Sequence, residues 1–158
     1  RIPVELSSSA MRARMNSKDG QLYVSGLKGW QTNAKGNGGL DRIRYTGKPV
    51  HLPKSIKVKK DVVEIGFYEA LDPNAVNSLS QFKFGAWNLK WSFNYGSPEI
   101  PVKELELKKV ELLEDGKTIA LYIPNLKPVN MAQIDYDIKS AKGEEIKGRI
   151  DHTIHVVE

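Results

Sequence analysis

Beyond Pro53, apolar residues return at every second position in segment after segment, and this two-residue period constrains the chain more than any other feature. Successive side chains of a strand point to opposite faces, so the alternation describes strands with one buried and one wetted face. Val63, Ile65 and Phe67 share one face. Ile134, Tyr136 and Ile138 repeat the pattern, with Asp135 and Asp137 opposite them. The longest run is Trp87, Leu89, Trp91, Phe93 and Tyr95, interleaved with Asn88, Lys90, Ser92 and Asn94, and it predicts one half-buried strand from 87 to 95. Val110 and Leu112 lead through Asp115-Gly116 to Ile119, Leu121 and Ile123, the composition of a hairpin. Lys142-Gly143 marks a further turn, and His152, Ile154 and Val156 close the chain. The only helix signal is Asp72-Pro73, a good cap followed by a residue suited to the first helical position, which predicts one or two turns over 73–80.

Pro49 and Pro53 hold themselves and the residues before them extended, so Lys48-Pro49-Val50-His51-Leu52-Pro53 reads as a boundary. It divides the chain into 1–48 and 49–158. The strand spacing predicts an all-β fold: an immunoglobulin-like β-sandwich over 49–158, with a single-domain barrel as the alternative. Before the boundary, Gln21–Val24 and Arg42–Tyr45 read as short strands around a loop crowded by Gly26, Gly29, Gly36, Gly38 and Gly39. Leu22, Tyr23, Val24, Leu27, Trp30, Leu40, Ile43 and Tyr45 are too many apolar groups to leave in water. So short a stretch without disulfides is near the limit for folding alone. It is therefore expected to pack on the sandwich or on another chain, with Trp30 and Tyr45 as the packing candidates.

Several chemistries are excluded or disfavoured. The chain has no cysteine, which removes disulfides, thiolate nucleophiles, zinc–thiolate sites and covalent haem attachment. No apolar run approaches the roughly 18 residues of a membrane span. The net charge of +5 is spread along strand-like segments. Even the basic run Lys54–Lys60 reads as a solvated strand face, so no nucleic-acid partner is expected. His152 and His155 are three apart on a strand and face opposite ways, so no metal site is expected there or from the carboxylates. Ser7-Ser8-Ser9 lacks the context of a nucleophile elbow, and Gly36-x-Gly38-Gly39 lacks the Lys-Ser/Thr of a phosphate loop. Asp135 and Asp137 lie on a solvent face rather than forming an acid/base pair. No catalytic residue and no cofactor is expected. The remaining candidate is aromatic. Trp87, Trp91 and Tyr95 recur every four residues, roughly 13 Å apart along one strand face. They pack in the sandwich core or against a neighbouring domain, or they form a platform on which sugar rings stack.

Two segments resemble a known family. Asp19-Gly20-Gln21-Leu22-Tyr23-Val24-Ser25-Gly26-Leu27-Lys28-Gly29-Trp30-Gln31-Thr32-Asn33, followed by Gly38-Gly39-Leu40-Asp41-Arg42-Ile43-Arg44-Tyr45-Thr46-Gly47-Lys48-Pro49, is similar to the end of the β-propeller in large exported bacterial proteins related to glucose/sorbosone dehydrogenases. Trp87-Asn88 through Trp91, with Asn94-Tyr95-Gly96-Ser97, resembles a stretch that follows the propeller in that group. The segment from Ile56 to Val157, with Phe67, Leu71, Asp72 and Pro73 at matching spacing, also resembles bacterial immunoglobulin-like domains of the surface-layer type.

The resemblance implies terminal propeller strands over 1–48 and a sandwich over 49–158, in a periplasmic or extracellular protein. The opening Arg1-Ile2-Pro3-Val4, without an initiator Met, fits a portion of something longer. A stretch of about 48 residues makes one propeller blade at most, whereas a propeller needs several. The expected role is therefore that of a non-catalytic accessory module. It docks a larger sugar-dehydrogenase-like protein to carbohydrate, to the cell surface or to partner subunits. Two alternatives stand beside it. In one, Trp30 to Asn33 and Arg42 complete a quinone-dependent active site assembled with other segments. In the other, the chain is a surface-layer type assembly domain.

Overall fold

The computed structural model describes residues 4–49, 51–76 and 78–158. It is all-β: the strands form three antiparallel sheets, and none closes into a barrel. Contacts divide the chain into two compact units, Arg1–Pro49 and Val50–Glu158. Val50, at the proline-flanked boundary, and Asn77, inside the predicted helical stretch, lie outside the described residues.

The first unit is a sheet of β1 (Arg12–Met15), β2 (Leu22–Leu27) and β3 (Gly38–Ile43), in that spatial order. Between β1 and β2 the chain reverses through Asp19-Gly20. Gly20 takes a φ of 66°, and the Asp19 carboxylate accepts the Gln21 amide at 3.0 Å and the Tyr23 hydroxyl at 2.8 Å. The glycines expected to crowd a loop lie partly in the sheet itself, where Gly26 pairs with Gly39 and Gly38 with Leu27. The reason is a crossing strap. Ser7-Ser8-Ser9 runs so close over β2 and β3 that a Cβ on Gly26 would fall 1.4 Å from the Ser9 carbonyl oxygen, and one on Gly39 would fall 2.1 Å from the Ser7 hydroxyl. The strap is pinned by hydrogen bonds. The amide and hydroxyl of Ser7 donate to Asp41 at 3.0 and 2.8 Å, the Ser8 hydroxyl donates to the Gly36 carbonyl at 3.0 Å, and the Ser9 hydroxyl donates to the Leu27 carbonyl. The serine run thus has a structural task.

The second unit has two four-stranded sheets. One is β4 (Pro53–Lys59), β5 (Val62–Phe67), β9 (Thr118–Tyr122) and β8 (Lys109–Leu112), in the order β4-β5-β9-β8. The other is β11 (Glu145–Ile154), β10 (Val129–Lys139), β6 (Phe82–Leu89) and β7 (Glu99–Pro101), in the order β11-β10-β6-β7. Both sheets contribute to one hydrophobic core. Val63, Ile65, Phe67, Ile119 and Leu121 enter from the first sheet, and Phe82, Ala86, Ile134, Ile138 and Ile146 from the second. The rings of Phe67 and Tyr136 meet edge to face across the core, with centroids 5.6 Å apart. Full burial of a side chain such as Ile65 contributes about 1.5–3 kcal/mol.

The β8–β9 hairpin turns where the sequence predicts. Gly116 takes a φ of 64°, and Asp115 accepts the Thr118 hydroxyl at 2.6 Å and the Lys117 and Thr118 amides at 2.9 and 2.8 Å. The Thr118 hydroxyl, and after it the Lys117 amide, holds the Asp115 carboxyl below its usual range. Among the described residues helix is confined to one turn, α1 (Pro73–Val76), and a 3-10 turn at Leu79–Gln81. The Asp72 carboxylate accepts the Asn74 amide at 2.9 Å, as its capping position predicts.

The strand predicted over 87–95 requires correction. β6 stops at Leu89, and its core face is carried by Phe82, Phe84 and Ala86. Trp87 and Leu89 therefore stand on the opposite face, and Trp91, Phe93 and Tyr95 lie in the connection to β7. The Lys90 amide closes that connection on the Pro98 carbonyl at 2.9 Å, and Gly96 takes a φ of 85° within it.

Candidate functional site

The β6–β7 loop is built on a fixed base. β7 pairs with the end of β6 through Trp87–Pro101, Asn88–Ile100 and Leu89–Glu99. Two asparagines then bond crosswise to β10: the Leu89 amide donates to the Asn130 side-chain oxygen at 2.8 Å, and the Asn130 amide donates to that of Asn88 at 3.0 Å. These two bonds satisfy backbone groups where the ladder ends.

Above this base the aromatic side chains have no cover. Trp91 is 92% exposed, Phe93 108% and Tyr95 107%, values close to those of free side chains. Trp87 is half-buried on the outer face of β6, in register with Met131 on one side and Pro101 on the other. Of the predicted platform, Trp91 and Tyr95 share the loop, while Trp87 stays on the sheet at its base. Phe93, part of the same alternation in the sequence, joins them there. Leu89, 51% exposed, adds apolar surface at the foot of the loop on the outer face, while Ile100, paired with Asn88, faces the other side of the sheet. Loops set on a rigid sheet commonly carry recognition, and clustered exposed apolar groups mark contact surfaces.

The other candidates separate. Trp30 and Tyr45 are exposed, at 91% and 72%. Asp135 is engaged by Arg149, whose Nε donates at 2.6 Å and whose second guanidinium nitrogen donates at 3.2 Å, and this bond holds the Asp135 carboxyl below its usual range. Asp137 faces Lys147 at 3.2 Å. Each carboxylate thus answers a cross-strand cation, the arrangement of a wetted sheet face. His152 and His155 line a shallow groove of about 330 Å3 with Ile56, Lys57 and Val58 of β4. Among the described residues no helix is long and apolar enough to cross a membrane. No family model, curated protein or solved structure matches the chain.

Proposed function

We propose that the chain is a non-catalytic binding module of an exported multidomain protein similar to sugar dehydrogenases, and that it docks that protein onto carbohydrate through Trp91, Phe93 and Tyr95. The observation that carries this reading is the near-complete exposure of these three rings on one loop with a rigid base. A ring face offers a sugar the apolar surface that its C–H groups need. Strand order supports an immunoglobulin-like scaffold. With the short β7 set aside as an added edge, β4-β5-β9-β8 and β11-β10-β6 follow the order of the two sheets of that fold. The first unit, with three antiparallel strands and exposed Trp30 and Tyr45, fits terminal propeller strands that pack on the remainder of a longer polypeptide or on a partner subunit. A periplasmic or extracellular location follows from the same reading.

Glycan-array binding by the intact chain, followed by tryptophan fluorescence titration with the best glycan, tests the proposal. Trp91→Ala is expected to weaken binding at least about tenfold, roughly 1.4 kcal/mol, with circular dichroism unchanged. An array with no bound glycan would leave the surface-layer assembly reading in its place. Oxidation of an aldose by the purified chain would favour the dehydrogenase reading instead.

A further inference from the structure

We infer a divalent-cation site formed by His51, Glu69 and Glu144, independent of the aromatic loop. Their ligand atoms all lie within 4.8 Å of one another. They come from three separate segments of the second unit: His51 precedes β4, Glu69 follows β5 and Glu144 immediately precedes β11. Backbone pairing brings them together. Pro53 pairs with Phe67, which sets the approach to β4 beside the exit of β5. The Ala141 amide donates to the Ala70 carbonyl at 2.9 Å, and Leu71 bridges to Ser140, which docks the β10–β11 turn against the same exit. Ser140, 1% exposed, supports Glu144 from behind: its hydroxyl oxygen accepts the Glu144 amide at 3.1 Å and lies 3.4 Å from the carboxylate. Such partners orient metal-binding carboxylates.

The decisive geometry is between His51 and Glu69. The imidazole Nδ1 lies 2.9 Å from Glu69 Oε1. Both atoms are shielded from solvent and face each other in a partly exposed pair, the side chains 32% and 22% exposed, with no further hydrogen-bond partner for either. Two shielded donor atoms placed this way are suited to sharing a cation. With bonds of about 2.0–2.2 Å, as imidazole and carboxylate make to zinc, two tetrahedral ligands stand roughly 3.3–3.6 Å apart, so the pair has only to open by about half an ångström to seat the cation between them. Glu144, on the exposed side, supplies the third ligand and leaves positions for water. One imidazole and two carboxylates favour a first-row divalent transition cation over magnesium, which prefers oxygen alone.

The metal-stripped full chain is titrated with Zn2+ by calorimetry, with Mg2+ as competitor. The expected result is one Zn2+ per chain, no displacement by equimolar Mg2+ and a raised unfolding temperature. Glu144→Gln, at an exposed turn, is expected to weaken Zn2+ binding at least about tenfold without loss of fold. The Nδ1 nitrogen resonance of His51 is expected to move on Zn2+ addition. A variant carrying His152→Ala and His155→Ala is expected to bind as the parent does. Absence of Zn2+ binding, undiminished affinity in Glu144→Gln, a stationary His51 resonance, displacement by Mg2+, or loss of binding in the His152/His155 variant would each overturn the site.

Discussion

The two units bury their side chains in different ways. In Val50–Glu158, residues from both sheets interlock, and Ile65, Ile119, Leu121 and Ile123 lose all contact with water. In Arg1–Pro49, among the described residues, only Val24 and Ser8 are buried, while Met11, Met15, Leu27 and Leu40 stand exposed. The first sheet is shaped by backbone pairing and by the serine strap over its glycines, and the second unit by apolar packing. Close crossing and hydrogen bonding can define a shape, but net stability comes mainly from apolar burial. A three-stranded sheet draws independent stability from a hydrophobic face, and among its described residues the first unit buries only Val24 and Ser8.

The largest effect is expected from Ile65→Ala. It should cost the second unit about 2–5 kcal/mol in urea denaturation, while hydrogen-exchange protection of β1–β3 amides stays as it was. A parallel drop in β1–β3 would show one cooperative body and end the contrast. Gly26→Ala should do the converse. The new Cβ would have to displace the strap backbone, at a cost of at least about 1–3 kcal/mol, read as lost protection confined to β1–β3. Asn130→Ala removes one arm of the crosswise clamp and should cost about 0.5–1.5 kcal/mol. A double-mutant cycle with Asn88→Ala should show coupling, since both hold the same loop base. The smallest effect is acidic. Asp135 and Asp115 of the second unit and Asp19 of the first all have carboxyls held below their usual range. For Asp135 the cause is the Arg149 hydrogen bond, for Asp115 the Thr118 hydroxyl, and for Asp19 the Gln21 amide. The stability they confer is fully present above the ordinary carboxylate range, near pH 4, and is lost as pH falls through their lower folded values. Asp135→Asn should flatten that acid limb slightly in thermal melts, and an unchanged limb would remove Asp135 from the account.

What could be read from the sequence follows the same divide. β5, β9 and β10 were legible because each presses one face into a dry core, and such a face must show the two-residue period. The Asp115-Gly116 turn was legible because its chemistry is local. β1 was not, since all four of its residues are exposed and no apolar face marks it. Gly26 and Gly39 suggested a loop because the reason for them is Ser7–Ser9, a contact made far along the chain. The end of β6 was misread because Trp91, Phe93 and Tyr95 keep the strand period while lying outside the strand. Alternation records apolar positions and does not record what covers them. His51 carried no signal along the chain, because its neighbours in space are Glu69 and Glu144.

β7 has a consequence for how molecules of this chain can meet. It is the outer strand of its sheet, only Glu99–Pro101, and Pro98 stands just before it. Proline carries no amide hydrogen, so a strand arriving from another molecule finds a row of donors that is short and interrupted. The exposed aromatic loop opens directly onto this edge. The stickiest side chains of the unit thus sit beside a backbone that resists sheet extension. So short an edge disfavours the hydrogen-bonded strand addition that propagates fibrils.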